Sequence, residues 1–241
     1  MAVSVDTASI GHADGLLVTS LNIDVSSGVG SSATNAIVCL IAWKEATISP
    51  DGISIDTVMW LSSTEPLTKL SEVINAGCHN EIWGRAPSTT SGADTVDIVF
   101  TGDPTGLANI SATAFVLTGT SGEQATAFGA VSTNTGTSAA PTVDVTKVSS
   151  GGRIIGNLGI VALGPPPVIT VGSGETEAAQ GIAGSVQEEA SYETTAADAG
   201  TTVTIDPTLD GSNDWSMAAL EVIDSTLQDP ILPTGIIPFA R

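Results

Sequence analysis

The amino-acid sequence predicts an all-β protein, an antiparallel β-sandwich of two sheets. Three observations carry that expectation. Short Val- and Ile-rich stretches alternate with Thr, Ser and Gly along all 241 residues, the pattern of strands and turns. No segment sustains the 3.6-residue apolar period of an amphipathic helix. Turn chemistry recurs between the stretches, at Pro50-Asp51-Gly52, Gly102-Asp103-Pro104-Thr105-Gly106 and Asp210-Gly211-Ser212-Asn213. There proline presets φ, Asp and Asn bond to nearby backbone, and glycine accepts positive φ.

The strands are expected in this order. A weak segment, Ala2–Ser9, is followed by Leu16–Val25 and then by the clearest strand, Asn35–Trp43. Asn35–Trp43 is apolar on both alternating faces, as in a strand covered on both sides. Ile53–Trp60, Leu67–Val73, Glu81–Arg85, Thr95–Thr101 and Ile110–Leu117 follow, with weak Thr126–Val131 and then Thr142–Val145. Arg153–Leu163 is again apolar on both faces and stops at Gly164-Pro165-Pro166-Pro167, where consecutive prolines cannot donate to a ladder. Glu175–Gly181 and Val186–Tyr192 read as a hairpin, and Thr201–Ile205 and Trp215–Ile223 complete the series.

A weak repeat runs through this order. Thr95–Ile98 leads through Asp103-Pro104-Thr105 to Asn109–Leu117, and Thr202–Ile205 leads through Asp206-Pro207-Thr208 to Asp214–Val222. Both second strands carry Ala at their centre, where small residues let sheets approach closely. The repeat favours one domain over residues 1–226, built from two related halves.

Residues 227–241 differ in kind. Pro230, Pro233 and Pro238 interrupt them, yet Ile231, Leu232, Ile236, Ile237 and Phe239 are apolar. This reads as an extended arm that docks on a neighbouring subunit or folds back on its own sandwich.

Charge limits the partners. Charged residues are only 13% of the chain, and 26 acids against 6 bases give a formal net charge of −20. Lys44, Lys69, Arg85, Lys147, Arg153 and Arg241 are scattered, whereas binding phosphate backbones needs clustered cations. Nucleic acid and anionic membrane are therefore not expected as partners. The longest apolar run, Ala36–Trp43, falls far short of the ~20 residues of a membrane span. The N-terminus lacks the basic and apolar regions of a signal peptide. Cys39 and Cys78 are expected as buried free thiols.

No catalytic motif survives inspection, so a non-enzymatic protein without cofactor or bound metal is expected. His12 and His79 are the only histidines. His79 adjoins Cys78, but strand neighbours point to opposite faces, which is poor geometry for a dyad. Gly28-Val29-Gly30-Ser31-Ser32-Ala33 precedes a strand, whereas a dinucleotide fingerprint follows one. Asp206, Asp210, Asn213 and Asp214 form the densest oxygen cluster. Their order does not match an EF-hand, and Asp and Asn are ordinary turn residues. Trp43, Trp60, Trp83 and Trp215 sit in or at the end of apolar strands, where packing is the ordinary role. Trp60 and Trp83 are the candidates for a sugar-stacking surface.

The succession Asn35–Trp43, Ile55-Asp56-Thr57-Val58-Met59-Trp60, Pro66–Leu70, Glu81-Ile82-Trp83 and Asp214–Ile223 resembles a jelly-roll-like β-sandwich domain of tailed-phage virion proteins and bacterial surface proteins. The resemblance spans residues 15–224 and rests on packing motifs. It implies a structural virion protein, a capsid decoration or tail component that binds other virion proteins and copies of itself. A carbohydrate- or surface-binding module is the alternative.

Overall fold

A computed structural model describes residues 2–26, 34–45, 52–60, 65–87, 93–102, 108–162 and 164–225. The arm 227–241, with Ile231, Leu232, Ile236, Ile237 and Phe239, lies outside the described residues. The first half contains β1 (Ser4–Val5), β2 (Gly11–Val18), β3 (Ser20–Ser26), β4 (Ala36–Glu45) and β5 (Ile53–Trp60). It continues with β6 (Glu65–Pro66), β7 (Thr68–Asn75), β8 (Cys78–Arg85), β9 (Ala93–Gly102) and β10 (Ala108–Thr118). One helical turn, α1 (Gln124–Ala127), leads into the second half. There follow β11 (Phe128–Ser138), β12 (Val143–Thr146), β13 (Arg153–Val161), β14 (Ile169–Thr170) and β15 (Glu175–Ala183). β16 (Val186–Glu193), β17 (Thr202–Ile205), β18 (Thr208–Leu209) and β19 (Asn213–Val222) end the series.

All recorded pairings are antiparallel. One inner sheet runs β1-β10-β4-β8-β7 with β2 also on β10, and the outer sheet above it runs β3-β9-β5-β6. The second inner sheet runs β11-β19-β13-β16-β15, and its outer layer consists of the pairs β12-β17 and β14-β18. The expected antiparallel sandwich is what forms, stacked more deeply than two sheets. Odd residues of β4 (Ile37, Cys39, Ile41, Trp43) pack with Ile23, Val58 and Ile98 of the outer sheet. Its even residues Val38 and Leu40 pack instead with Ile155, Leu220 and Val222 of the other half. β13 and β19 likewise divide their faces, with Leu158, Ile160 and Met217 meeting Val145 and Ile205. The result is four layers with three main cores between them, which explains why β4 and β13 read as apolar on both faces.

The repeat seen in the sequence extends to the whole topology. β10-β4-β8-β7 and β19-β13-β16-β15 have the same order, and β3-β9 corresponds to β12-β17. The detail is residue-level. The hairpin pairs Asn75 with Cys78 in one half and Ala183 with Val186 in the other, each across a two-residue turn. A β-bulge falls between Lys69 and Ser71 opposite Trp83 and Ile82, and between Glu177 and Ala179 opposite Ser191 and Ala190. One constant chain offset relates all these residues.

The halves join by their inner sheets, and each contact has its mate. β8 touches β13 and β19, as β16 touches β4 and β10; β7 touches β11, as β15 touches β2. This is the self-complementary pattern of a two-fold dimer, realised within one chain. At its centre the equivalent residues Ala42 and Gly159 meet. A Cβ on Gly159 would stand 3.3 Å from the Ala42 Cβ and 3.2 Å from Cys78 Sγ.

Candidate functional site

The chemistry-bearing residues concentrate on β8 and on its counterpart β16. Because both faces of these strands are covered, most of their polar side chains are buried whichever way they point, with His79 and Arg85 on β8 only partly so. On β8, Asn80 faces the other half, while His79, Glu81 and Trp83 face the outer sheet.

Glu81 is fully buried and saturated with donors. Trp43 Nε1 donates to its Oε1 at 2.8 Å, and Trp83 Nε1 donates to its Oε2 at 2.8 Å. Lys69 Nζ stands 3.1 Å from the same Oε2 and 3.0 Å from Glu72 Oε2. His79 Nδ1 closes the chain at 3.0 Å from Glu72 Oε1, and its ring stacks on Trp43 at 3.9 Å. Among the described residues, Glu72, His79 and Glu81 are the one group whose donor atoms lie close enough to share a metal ion. The Lys69 ammonium already bridges its two carboxylates. Burial works against that charge, but Glu72 and Glu81 outweigh it and hold the Lys69 pKa above its ordinary value. Burial likewise opposes ionised Glu72, yet His79 and Lys69 bring it below the usual carboxylate range.

Across the seam, Asn80 Nδ2 donates to the carbonyls of Asn157 and Ser216, each at 2.9 Å, and Asn157 Nδ2 donates back to Asn80 Oδ1 at 3.1 Å. The residue equivalent to Asn80 is Glu188. It reaches the other way, accepting from Ser111 Oγ at 3.3 Å and Thr113 Oγ1 at 3.1 Å. His12 lies beside it, with Nδ1 2.9 Å from Thr113 Oγ1 and Nε2 3.2 Å from Asp14 Oδ1. Asp14 in turn accepts from the Ile182 N–H. Burial pushes Glu188 up to about 8. Burial disfavours charged His12, but Asp14 and Glu188 outweigh it and raise its pKa.

No family model, curated protein or solved structure matches this chain. The geometry alone therefore has to say what these groups do. Thr113, His12 and Asp14 stand in the hydroxyl–imidazole–carboxylate order of a nucleophilic relay. Yet Thr113 is fully buried and its hydroxyl is committed to Glu188. The group ties β2 and β10 of one half to β15 and β16 of the other, which is a clamp.

Trp60 and Trp83, the candidates for sugar stacking, are core residues at 1% and 7% exposure. The hydrophobic demand of the first core claimed both rings, and Trp83 also spends its N–H on Glu81. Cys39 and Cys78 are buried free thiols, as expected. Cys78 faces the seam while His79 faces the outer sheet. Burial places the Cys78 thiol at about 12. The loop oxygens near Asp206 do not converge as a set. Asp210 Oδ1 caps Val168 N, Asn213 Nδ2 donates to Gly211 O, and Asp214 Oδ1 accepts from Thr137.

The sequence reading missed Glu81, Glu188 and Glu189. A signal was available in Val186-Gln187-Glu188-Glu189-Ala190. Two adjacent acids in a strand point to opposite faces, so in a strand covered on both sides neither can reach water.

Proposed function

We propose that this protein is a structural component of a larger assembly, a capsid decoration or tail protein of a tailed bacteriophage. The observation that carries the reading is β11, an edge strand of the second inner sheet. Its sequence Phe128-Gly-Ala-Val-Ser-Thr-Asn-Thr-Gly-Thr-Ser138 holds no charge and no proline. Monomeric proteins usually guard such edges with Lys, Pro or very short strands. The other long edges here carry charges, Lys69 and Glu72 on β7 and Glu175 and Glu177 on β15. Thr133, Asn134 and Thr135 are exposed, beside an open groove that continues to Thr142 and Asp144. An uncharged edge suits strand addition by another chain.

Two further features support the reading. In the first half β2, β4, β8 and β10 share the inner sheet and β3, β5 and β9 the outer one, which is part of a jelly-roll order, although β7 lies in the inner sheet as well. The histidines and tryptophans are used within the stack, which suits a scaffold. An apolar arm at 227–241 would add a second point of attachment.

Sedimentation velocity over a range of concentrations tests the proposal. The full chain is expected to self-associate, and Thr133→Lys with Thr135→Lys to weaken association at least tenfold. Mass spectrometry of density-gradient-purified phage particles is expected to find the chain. A chain that stays monomeric at all concentrations and is missing from such particles would overturn the reading.

A further inference from the structure

Glu189 is the residue equivalent to Glu81, and it is equally buried. The two differ in company. Neither carboxylate oxygen of Glu189 has a hydrogen-bond partner. Where Lys69 brings an ammonium to Glu81, the equivalent position carries Glu177, and where Glu72 stands the second half has Gln180. Glu175, on β15 with Glu177, also neighbours Glu189, with its Oε2 accepting from Ser191 Oγ. Its Oε1 accepts from the Asp206 N–H at 2.8 Å and lies with Asp206 Oδ1 over Gly172, where an added Cβ would meet both oxygens at 2.1 Å. The negative neighbours Glu175 and Glu177 add to burial in opposing ionised Glu189.

No described side-chain cation answers this cluster. Lys44 donates to Ala76 O, Lys69 holds Glu72 and Glu81, and Arg85 pairs with Glu65. Lys147 is buried on Glu193, and Arg153 donates to the Glu193 and Thr194 carbonyls. Burying a carboxylate without a partner is expensive, and the first half shows what the fold does with a glutamate at this place: it sets a positive charge against it.

We propose that the second half binds a divalent cation of the calcium class through Glu189, Glu175, Glu177 and Asp206, at the position the Lys69 ammonium holds in the first half. The donor set is all oxygen, which suits a hard cation with flexible coordination. As the chain stands, no three of these oxygens lie within reach of one ion as the donor atoms of Glu72, His79 and Glu81 do, so the carboxylates must draw together around the cation. Glu177, exposed at the strand edge and bonded only to Gln180 Nε2, is the ligand that swings in to close the site.

The test is thermal unfolding and titration calorimetry of the chelator-treated full chain with CaCl2. Calcium at about a hundredfold excess over its Kd is expected to raise the Tm by roughly 5–10 °C. Glu177→Lys copies the first half: it should raise the Tm in chelator and abolish the calcium response. Glu189→Gln should abolish the response as well, while Glu72→Gln should leave it intact. An unchanged Tm and no binding heat in the parent chain would overturn the proposal. So would a response that survives Glu177→Lys, or one that is lost in Glu72→Gln, which would place the ion in the first half.

Discussion

Glu81 and Glu189 occupy the same strand position in the two halves, each in a strand with both faces covered, and they have opposite surroundings. Glu81 accepts from two indole N–H groups and faces the Lys69 ammonium. Glu189 has only acids and Ser191 for company. The neighbouring pair repeats the lesson, since Asn80 crosses the seam as a neutral pin and Glu188 crosses it as an acid beside His12. One backbone thus supports two electrostatic solutions. Backbone pairing fixes where a buried polar side chain goes, and the side chains opposite decide whether it is stabilising there.

The comparison breaks most sharply by removing each glutamate. Glu81→Ala leaves two buried indole donors and an ammonium without their acceptor. It is expected to cost roughly 3–5 kcal/mol in urea denaturation. Glu189→Leu, in chelator, should be neutral or stabilising by about 1 kcal/mol or more, because it removes an unpartnered buried acid. Equal losses for the two would erase the distinction.

The seam predicts a pH dependence in one pin and none in the other. Glu188, at about 8, and His12, raised, both hold protons in the folded chain at pH values where the unfolded chain has released them. Their contribution is complete below the unfolded carboxyl value and is lost as pH rises toward 8. Stability in chelator should therefore fall between pH 5 and 8, by up to about 1.4 kcal/mol per pH unit for each proton. Glu188→Gln should make the profile shallower, while Asn80→Asp should steepen it. The slope remaining in Glu188→Gln comes from His12, and from Glu189 and Glu175, whose pKa values burial and neighbouring acids also raise. A flat parent profile would remove the role given to Glu188.

Gly159 tests whether the halves depend on close approach. Gly159→Val pushes methyl groups into Cys78 and Ala42 and should cost about 1–3 kcal/mol, measured by the same denaturation. The smallest expected effect comes from Glu72→Gln, which installs the second half's Gln180 in the first. Glu72 is partly exposed, so the loss should stay below about 1 kcal/mol.

Much of the fold was legible. Ile53–Trp60 matches β5 at both ends, the hairpin at Glu175–Tyr192 formed, and β13 stops before the triple proline. These depend on local rules of alternation and turn chemistry. β6, β14 and β18, two residues each, escaped because so short a pairing leaves no period to read. Leu16–Val25 proved to be two strands, β2 and β3, broken at Thr19, with Leu17 at φ 55°. That break hands the chain from the inner sheet to the outer one, a decision no local pattern records. The candidate site was less legible, since Glu81, Glu188 and Glu189 look like ordinary acids until the covering layers are known.

The sequence by itself determined the strands, their turns, and the doubly apolar character of β4 and β13, because alternation and backbone preference act over a few residues. The repeated Asp-Pro-Thr units also disclosed that the halves are related. Only the tertiary structure decided that those halves stack inner sheet to inner sheet, and hence which polar groups lie between layers. Desolvation and partner charge depend on residues distant in the chain, so the same glutamate is a saturated core anchor on β8 and an unpartnered buried acid on β16.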